Sequence, residues 1–407
     1  MTDYRPTNRR NFVKQSVAAG ASVGLALGAR AESPATTPRV RAYRTLGRTG
    51  LRVSDISFGS SRLRSGQEDL VRHALDRGIN YFDSAYGYSG GDSEVVIGNV
   101  IRGIRDDVVL VSKVEGTASW REAQFMEELD TSLQRLRTDY IDIYMAHAVN
   151  DIERLQSDEW FAFVDRAKAA GKIRFAGMSG HAGQLIPCLD YALDEDMVDV
   201  ILCAYNFGQD PKFYERFTKS FNFVANQPDL PRVLAKAKAR NVGVIAMKTL
   251  MGARLNDMRP YEYGEATFAQ AAFRWVLSNA DVDALIISMT SRERIDEYLG
   301  ASGASELAVG DMGLLIRYAA ANGATYCRHA CNDCSGACPY GVNIADVLRT
   351  RMYATDYEDV PFARAEYAAI EHNAAACLSC SGMPCRNACT HDIPIAELCA
   401  PTHRMLA

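Results

Sequence analysis

Beyond its first thirty residues this chain has no stretch long and apolar enough for a membrane helix, so no membrane span is expected in the mature protein. It has no lysine- or arginine-rich run either. The formal charge over 407 residues is −5, and residues 1–31 carry +4, which leaves the remainder at −9. An acidic body without a basic run argues against nucleic acid as a partner. No Gly-x-Gly-x-x-Gly follows the first predicted strand, which removes the main support for an open nucleotide-binding sheet. Hydrophobic content is ample: 48% hydrophobic and 23% charged residues allow a full core, in a chain too long for most single small domains. The expectation is one large domain plus an appendix.

Residues 1–31 stand apart from the fold. "TNRRNFVK" places Arg9 and Arg10 ahead of Phe12 and Lys14, and "SVAAGASVGLALGA" is a mildly apolar run rich in glycine and alanine. Ala29-Arg30-Ala31 then supplies small residues at the spacing a signal peptidase needs. The segment resembles a twin-arginine signal, with Asn8 where Ser or Thr is usual. The plainer alternative is a basic, unstructured terminus. The signal reading implies export to the outer side of a bacterial cytoplasmic membrane, in the periplasm. Residues 32–42 read as a linker.

From residue 43 to 302 short apolar runs alternate with amphipathic ones. "DISFGS", "NYFDSA", "VVLVSKV", "YIDIYMAH", "IRFAGMSG", "VDVILCAYNF", "VGVIAMKTL" and "DALIISMT" each read as a buried strand, mostly bounded by Gly, Asp or Asn. Between them "EDLVRHALDRG", "REAQFMEELDTSLQRL", "EWFAFVDRAKAAG" and "TFAQAAFRWVLSN" space apolar residues at three and four, as helices do. This alternation predicts an α/β fold, a closed (β/α)8 TIM barrel. "YRTLGRTGLRV" ahead of it reads as an N-terminal hairpin turning at Gly47 or Gly50.

In such a barrel chemistry gathers where strands end. Asp83, Lys113 and His147 end successive strands, and Tyr88 follows Asp83 in a glycine-rich loop. An ammonium beside a phenol is expected to lower its pKa, with the aspartate holding the lysine charged. The phenol then gives a proton to a carbonyl oxygen, and a histidine orients or polarises the same carbonyl. Singly each has a bland reading, as loop cap, solvated strand end or core histidine. Four at successive strand ends point to a site.

"YRTLGRTGLRVS", "NYFDSAYGYSGGDSEVVIG", "VSK", "TSLQRLRTDYIDIYMAH" and "GKIRFAGMS" resemble the aldo-keto reductase family, in its order and spacing. The resemblance implies the barrel, a catalytic tetrad of Asp83, Tyr88, Lys113 and His147 with Tyr88 as general acid, and a nicotinamide cofactor, NAD(P), at the barrel mouth. It also implies that Ser179 holds the carboxamide, although Gly180 stands where the family's asparagine would follow. Leu202 replaces a usual glutamine, and Met247 stands where many members stack an aromatic ring. The loop "SMTSRERIDEY" offers Ser291, Arg292 and Arg294 to phosphate. Their plainer reading is a capped, exposed helix start.

Residues 303–326 read as a linker helix, and 327–407 as a small carboxyl-terminal iron–sulfur domain of ferredoxin-like type. Cys327, Cys331, Cys334 and Cys338 are spaced C-x3-C-x2-C-x3-C and followed by Pro339; Cys377, Cys380, Cys385 and Cys389 are spaced C-x2-C-x4-C-x3-C. In a two-cluster ferredoxin the fourth thiolate of each run serves the other cluster. Two 4Fe–4S clusters would then be held by Cys327, Cys331, Cys334 and Cys389, and by Cys377, Cys380, Cys385 and Cys338. Two zinc ions or disulfides are the rival uses. Cys188 and Cys203 lie in apolar contexts and read as core.

Taken together, the chain reads as an exported aldo-keto reductase-type enzyme interconverting a small carbonyl and alcohol, coupled to two clusters and to a redox partner protein. A twin-arginine route carries folded proteins, which suits clusters inserted in the cytoplasm. The alternative is an iron–sulfur electron-transfer or scaffold protein whose barrel no longer turns over a nicotinamide; Leu202 and Met247 favour it, and the tetrad opposes it.

Overall fold

The computed structural model describes residues 37–181, 183–215, 227–251, 259, 262, 267–322, 327, 333–334, 336–355, 359–390 and 393–407. The signal-like segment therefore lies outside the described residues, as does Cys331. Residues from Pro38 to Ala407 belong to one compact unit.

Strands β1 (Tyr43–Thr45) and β2 (Arg52–Ser54) form the antiparallel hairpin, and the eight predicted runs become β3 (Ile56–Gly59), β4 (Tyr81–Asp83), β5 (Val109–Val114), β6 (Ile141–Ala146), β7 (Ile173–Gly180), β8 (Val200–Ala204), β9 (Gly243–Met247) and β10 (Ala284–Ser288). They close into a barrel in sequence order, with β10 pairing β3, and every pairing is parallel. The helices are α1 (Glu68–Asp76), α2 (Asp92–Ile101), α3 (Glu122–Leu136), α4 (Ile152–Leu155), α5 (Asp158–Ala169), α6 (Leu185–Asp194), α7 (Pro211–Glu215), α8 (Leu230–Ala239), α9 (Phe268–Leu277), α10 (Arg292–Leu299), α11 (Asp311–Asn322), α12 (Ile344–Thr355), α13 (Val360–Ala368) and α14 (Ile395–Leu406). Side-chain oxygens start several of them: Thr267 accepts from Gln270 N, Ser291 from Arg294 N, and Asp359 from Phe362 N.

Side chains alternate across a strand, so each strand divides its residues between two cores. The inner core fills the barrel with Tyr81, Val109, Val111, Ile143, Met145 and Leu202 among others. The outer core lies between barrel and helices and includes the buried Cys188 and Cys203, whose thiols burial pushes up to about 11 and about 12. The hairpin closes the amino-terminal end by inserting Leu46 and Val53 into the inner core. Its turn comes so close to β9 that a Cβ on Gly47, at φ +46, would sit 2.3 Å from Gly243 N.

The tail packs on the barrel. Arg274 of α9 donates from Nε and Nη2 to Asp311 at the start of α11, at 2.7 and 2.9 Å, and the rings of Phe268 and Tyr318 lie 4.6 Å apart. Helices α12 and α13 pair through Tyr353 and Phe362, with centroids 5.0 Å apart. Among the described residues, 327–407 form helices and short 3-10 turns and no strand.

Candidate active site

The alternation that fills the barrel also builds its mouth. In β4 the inward parity of Tyr81 passes to Asp83; in β5 that of Val109 and Val111 passes to Lys113; beyond β6 that of Ile143 and Met145 passes to His147. The last inward residue of each is polar, and the polar residues meet. Lys113 Nζ donates to Asp83 Oδ1 at 2.7 Å and to the Ser84 carbonyl at 2.5 Å. The same ammonium lies 4.8 Å from the centre of the Tyr88 ring, which meets the His147 ring edge-on at 5.5 Å. The structure brings together all four residues read from the sequence.

Burial of the Asp83–Lys113 pair pushes both toward neutrality, raising the carboxyl and lowering the ammonium, and each opposes the other's shift by its charge. Asp83 Oδ2 is buried without a hydrogen-bond partner. The Tyr88 phenol is pushed well above its ordinary value, first by burial and then by the Asp83 charge. Its direction is opposite to the one expected from an ammonium neighbour alone. Burial lowers His147, while Glu115, 3.3 Å from Nδ1, opposes that. The site thus holds a protonated phenol beside a neutral imidazole.

The loop carrying Tyr88 is fixed from below. Ser60 and Ser84 both hydrogen-bond to the buried Ser93, at 2.6 and 2.7 Å, and Ser60 also donates to the Asp83 carbonyl. Ser112 donates to the buried Glu94 at 2.6 Å, and Arg135 reaches Glu94 and the Tyr86 carbonyl. Gly91, at φ +99, gives Arg135 its passage, since a Cβ there would meet the guanidinium at 2.5 Å.

A cavity of about 170 Å³ opens above the tetrad, lined from the barrel by Asp83, Tyr88, Met247, Lys248, Thr249 and Ser288 and from the tail by Met352, Tyr353, Phe362 and Glu366. Arg62, also in its wall, joins Asp359 Oδ2 at 2.8 Å, and Arg64 joins the same oxygen at 2.9 Å. Thr249 Oγ1 is buried with no partner. Buried hydroxyls are rarely left so, which marks this wall as ready for a polar ligand.

The other sequence-predicted residues lie around this centre. Ser179 is buried at the end of β7, and its Oγ accepts from Ala148 N at 3.0 Å. Leu202 is wholly inside the barrel, and Met247 borders the cavity. Ser291 caps α10, Arg292 reaches Asp69 at 3.2 Å, and Arg294 reaches Glu297 at 2.7 Å. Sequence reasoning missed Lys248, Glu115 and Glu366. Lys248 carried a usable signal, a lysine directly after a strand. Glu366 carried none, because its helix reads as an ordinary surface segment.

In the tail none of the described cysteines is joined in a disulfide. Cys377 is raised first by burial and then by the charges of Cys338, Cys385 and Cys380, and Cys338 and Cys380 act likewise on Cys385. The last cysteine of the first run is therefore within electrostatic reach of three of the second. Thr390, next to Cys389, donates to Asp333, next to Cys334, which joins the other ends of the runs. Buried Cys399 feels Cys377, Cys385, Cys334 and Cys327. Among the described residues no group of three His, Cys, Asp or Glu side chains is arranged for a single metal ion.

Comparison with known proteins bears on the barrel. L-galactose dehydrogenase of Arabidopsis thaliana is 27% identical over 298 residues, 63% of this chain and 87% of its own. An aldo/keto reductase of Klebsiella pneumoniae, solved with NADP and acetate, is 26% identical with a TM-score of 0.52, over 68% of this chain and 94% of its own. The holo form of a Bacillus halodurans aldo-keto reductase, at 22% identity, shares the fold with a TM-score of 0.53 over 68% and 95%. The profile of the Aldo/keto reductase family matches residues 56–262, half of the sequence, which contains the whole tetrad. The chain belongs to the aldo/keto reductase family of oxidoreductases.

Proposed function

We propose that this protein interconverts a small carbonyl compound and its alcohol with NAD(P), and that its tail carries two 4Fe–4S clusters which exchange electrons with a partner protein. The observation that carries the first part is the convergence of Tyr88, Lys113, Asp83 and His147, of which Asp83 and Tyr88 line the cavity, with the phenol kept protonated. Tyr88 donates its proton to the carbonyl oxygen as the carbon is reduced, and returns to it when an alcohol is oxidised. The Lys113 charge, held by Asp83, stabilises the phenolate left after donation. Neutral His147 orients the same oxygen, and the tail helices exclude water. The nicotinamide supplies or accepts the hydride. Met247 can pack on its ring, the orphaned Thr249 hydroxyl and Ser288 can meet its polar groups, and Arg292 and Arg294 can exchange their carboxylate partners for phosphate. The NADP complex of the Klebsiella relative supports this assignment.

For the tail, the grouping of Cys338 with Cys377, Cys380 and Cys385, and the Thr390–Asp333 link beside Cys334 and Cys389, support the crosswise sharing of thiolates. A cluster spreads its thiolates over four iron atoms, farther apart than ligands of one ion, and cysteines outside disulfides suit it. The clusters supply one-electron transfer. Export in folded form by the segment around Arg9 and Arg10 completes the reading.

Leu202, a hydrocarbon where relatives of this kind use glutamine, favours a second reading in which only the tail works. Replacing Tyr88 by Phe decides between them. It removes the donor and keeps the ring, so carbonyl reduction by the anaerobic holoprotein should fall by roughly 10²–10⁴. Absence of any reduction by the unaltered protein, with either nicotinamide and a broad set of carbonyls, would favour the second reading.

A further inference from the structure

The cavity has two owners. Its hydrocarbon comes from Met247 and Ile286 of the barrel and from Met352 and Phe362 of the tail. Besides Asp83 and Tyr88, two ionisable side chains that form no ion pair among the described residues border it, Lys248 just past β9 and Glu366 on α13. Among the described residues neither side chain makes a hydrogen bond or ion pair, although both lie partly buried. Burial raises the Glu366 carboxyl, and the charges of Arg349 and then Lys248 oppose that. Both side chains also feel the tetrad: Lys248 acts on Lys113, and Glu366 acts on Tyr88.

A carboxylate accepts hydrogen bonds only, and an ammonium donates only. A ligand anion would satisfy Lys248 and be repelled by Glu366; a ligand cation would do the reverse; hydrocarbon would leave both unpaired in a partly dry site. A hydroxyl serves both, donating to one and accepting from the other. Because Lys248 and Glu366 line the same cavity as Asp83 and Tyr88, such a hydroxyl lies beside the carbonyl that Tyr88 protonates.

Resting on the carbonyl–alcohol reading above, we propose that the substrate is a neutral hydroxy carbonyl compound, its hydroxyl on the carbon next to the carbonyl and held between Lys248 and Glu366. Glu366 is then a specificity-determining residue contributed by the iron–sulfur tail. The reaction is balanced as for any carbonyl: hydride to carbon from the nicotinamide, proton to oxygen from Tyr88, giving a vicinal diol.

Hydroxyacetone and butanone test this, since one differs from the other by a hydroxyl in place of a methyl. Both kcat/KM and the dissociation constant, the latter by saturation-transfer NMR on the anaerobic full-length protein, are compared. The unaltered protein should favour hydroxyacetone at least tenfold, and Glu366→Gln should cut that preference about tenfold, as expected for one hydrogen bond to a charged group. Lys248→Gln gives the same comparison from the barrel side, should the first variant fail to show native circular dichroism. Equal binding of the two ketones, or a preference unchanged in both variants, overturns the proposal. If neither ketone is reduced, the hydride reading fails, and the binding ratio still decides whether the cavity selects a hydroxyl.

Discussion

Arg62 in the loop after β3 and Asp359 at the start of α13 are joined at 2.8 Å, across nearly three hundred residues of chain. Asp359 also caps α13 through Phe362 N, and the Arg62 guanidinium lies 5.8 Å from the Phe362 ring. One carboxylate thus starts the helix that carries Glu366 and anchors it to the loop that borders the tetrad.

The pH dependence of reduction follows from two opposite shifts. Tyr88 is raised, so the donor keeps its proton until the pH passes its ordinary value of about 10. His147 is lowered, so it remains neutral until the pH falls below about 6.5. The kcat/KM profile for reduction should therefore be flat between these limits and decline only outside them. An alkaline decline centred near pH 8 that persists in Lys113→Met would show that Tyr88 loses its proton despite burial, and one that disappears there would assign it to the lowered Lys113 ammonium.

Lys113→Met leaves Asp83 buried, charged and unpaired. Urea unfolding should show a loss of about 3–5 kcal/mol, most of it recovered when Asp83→Asn is added. A double variant as unstable as the single one would mean that the lysine stem, not its charge, is what the site needs.

Crosswise sharing of thiolates predicts an asymmetric result from one cysteine. Anaerobic protein should contain about eight iron and eight sulfide per chain, and Cys338→Ser should lower both to about four. The lost signal should match that lost in Cys377→Ser and not in Cys327→Ser, as read by electron paramagnetic resonance after reduction. Zinc without sulfide would end the cluster reading.

Replacing Arg9 and Arg10 by lysine should leave uncleaved precursor in the cytoplasm, detected by fractionation and immunoblot. Equal amounts of exported protein before and after the change would make the pair incidental.

The barrel and its tetrad were legible because both depend on strand parity, which is a local property. Tyr81 and Asp83, or Val111 and Lys113, differ by two residues and so share a face whatever else the chain does. What could not be read was packing between distant segments. The tail's place over the mouth rests on Asp359 meeting Arg62 and Arg64, and no periodicity in α13 announces it. The direction of the Tyr88 shift is hidden from the sequence for a related reason: the sequence shows which charge is near, and only the fold shows that the phenol is buried. Arg292 and Arg294 illustrate the converse, since their free-looking guanidinium groups face Asp69 and Glu297.

Because α12 and α13 supply one side of the cavity, a barrel cut off after Ser302 is not a smaller edition of the same enzyme. It would keep the tetrad and lose Tyr353, Phe362 and Glu366, and Arg62 would lose Asp359 as its counter-ion. Its pocket would be wider, wetter and indifferent to the group that Glu366 recognises. Selectivity measured on such a fragment would describe an open barrel, and the difference between fragment and full chain would measure what the tail contributes to substrate choice.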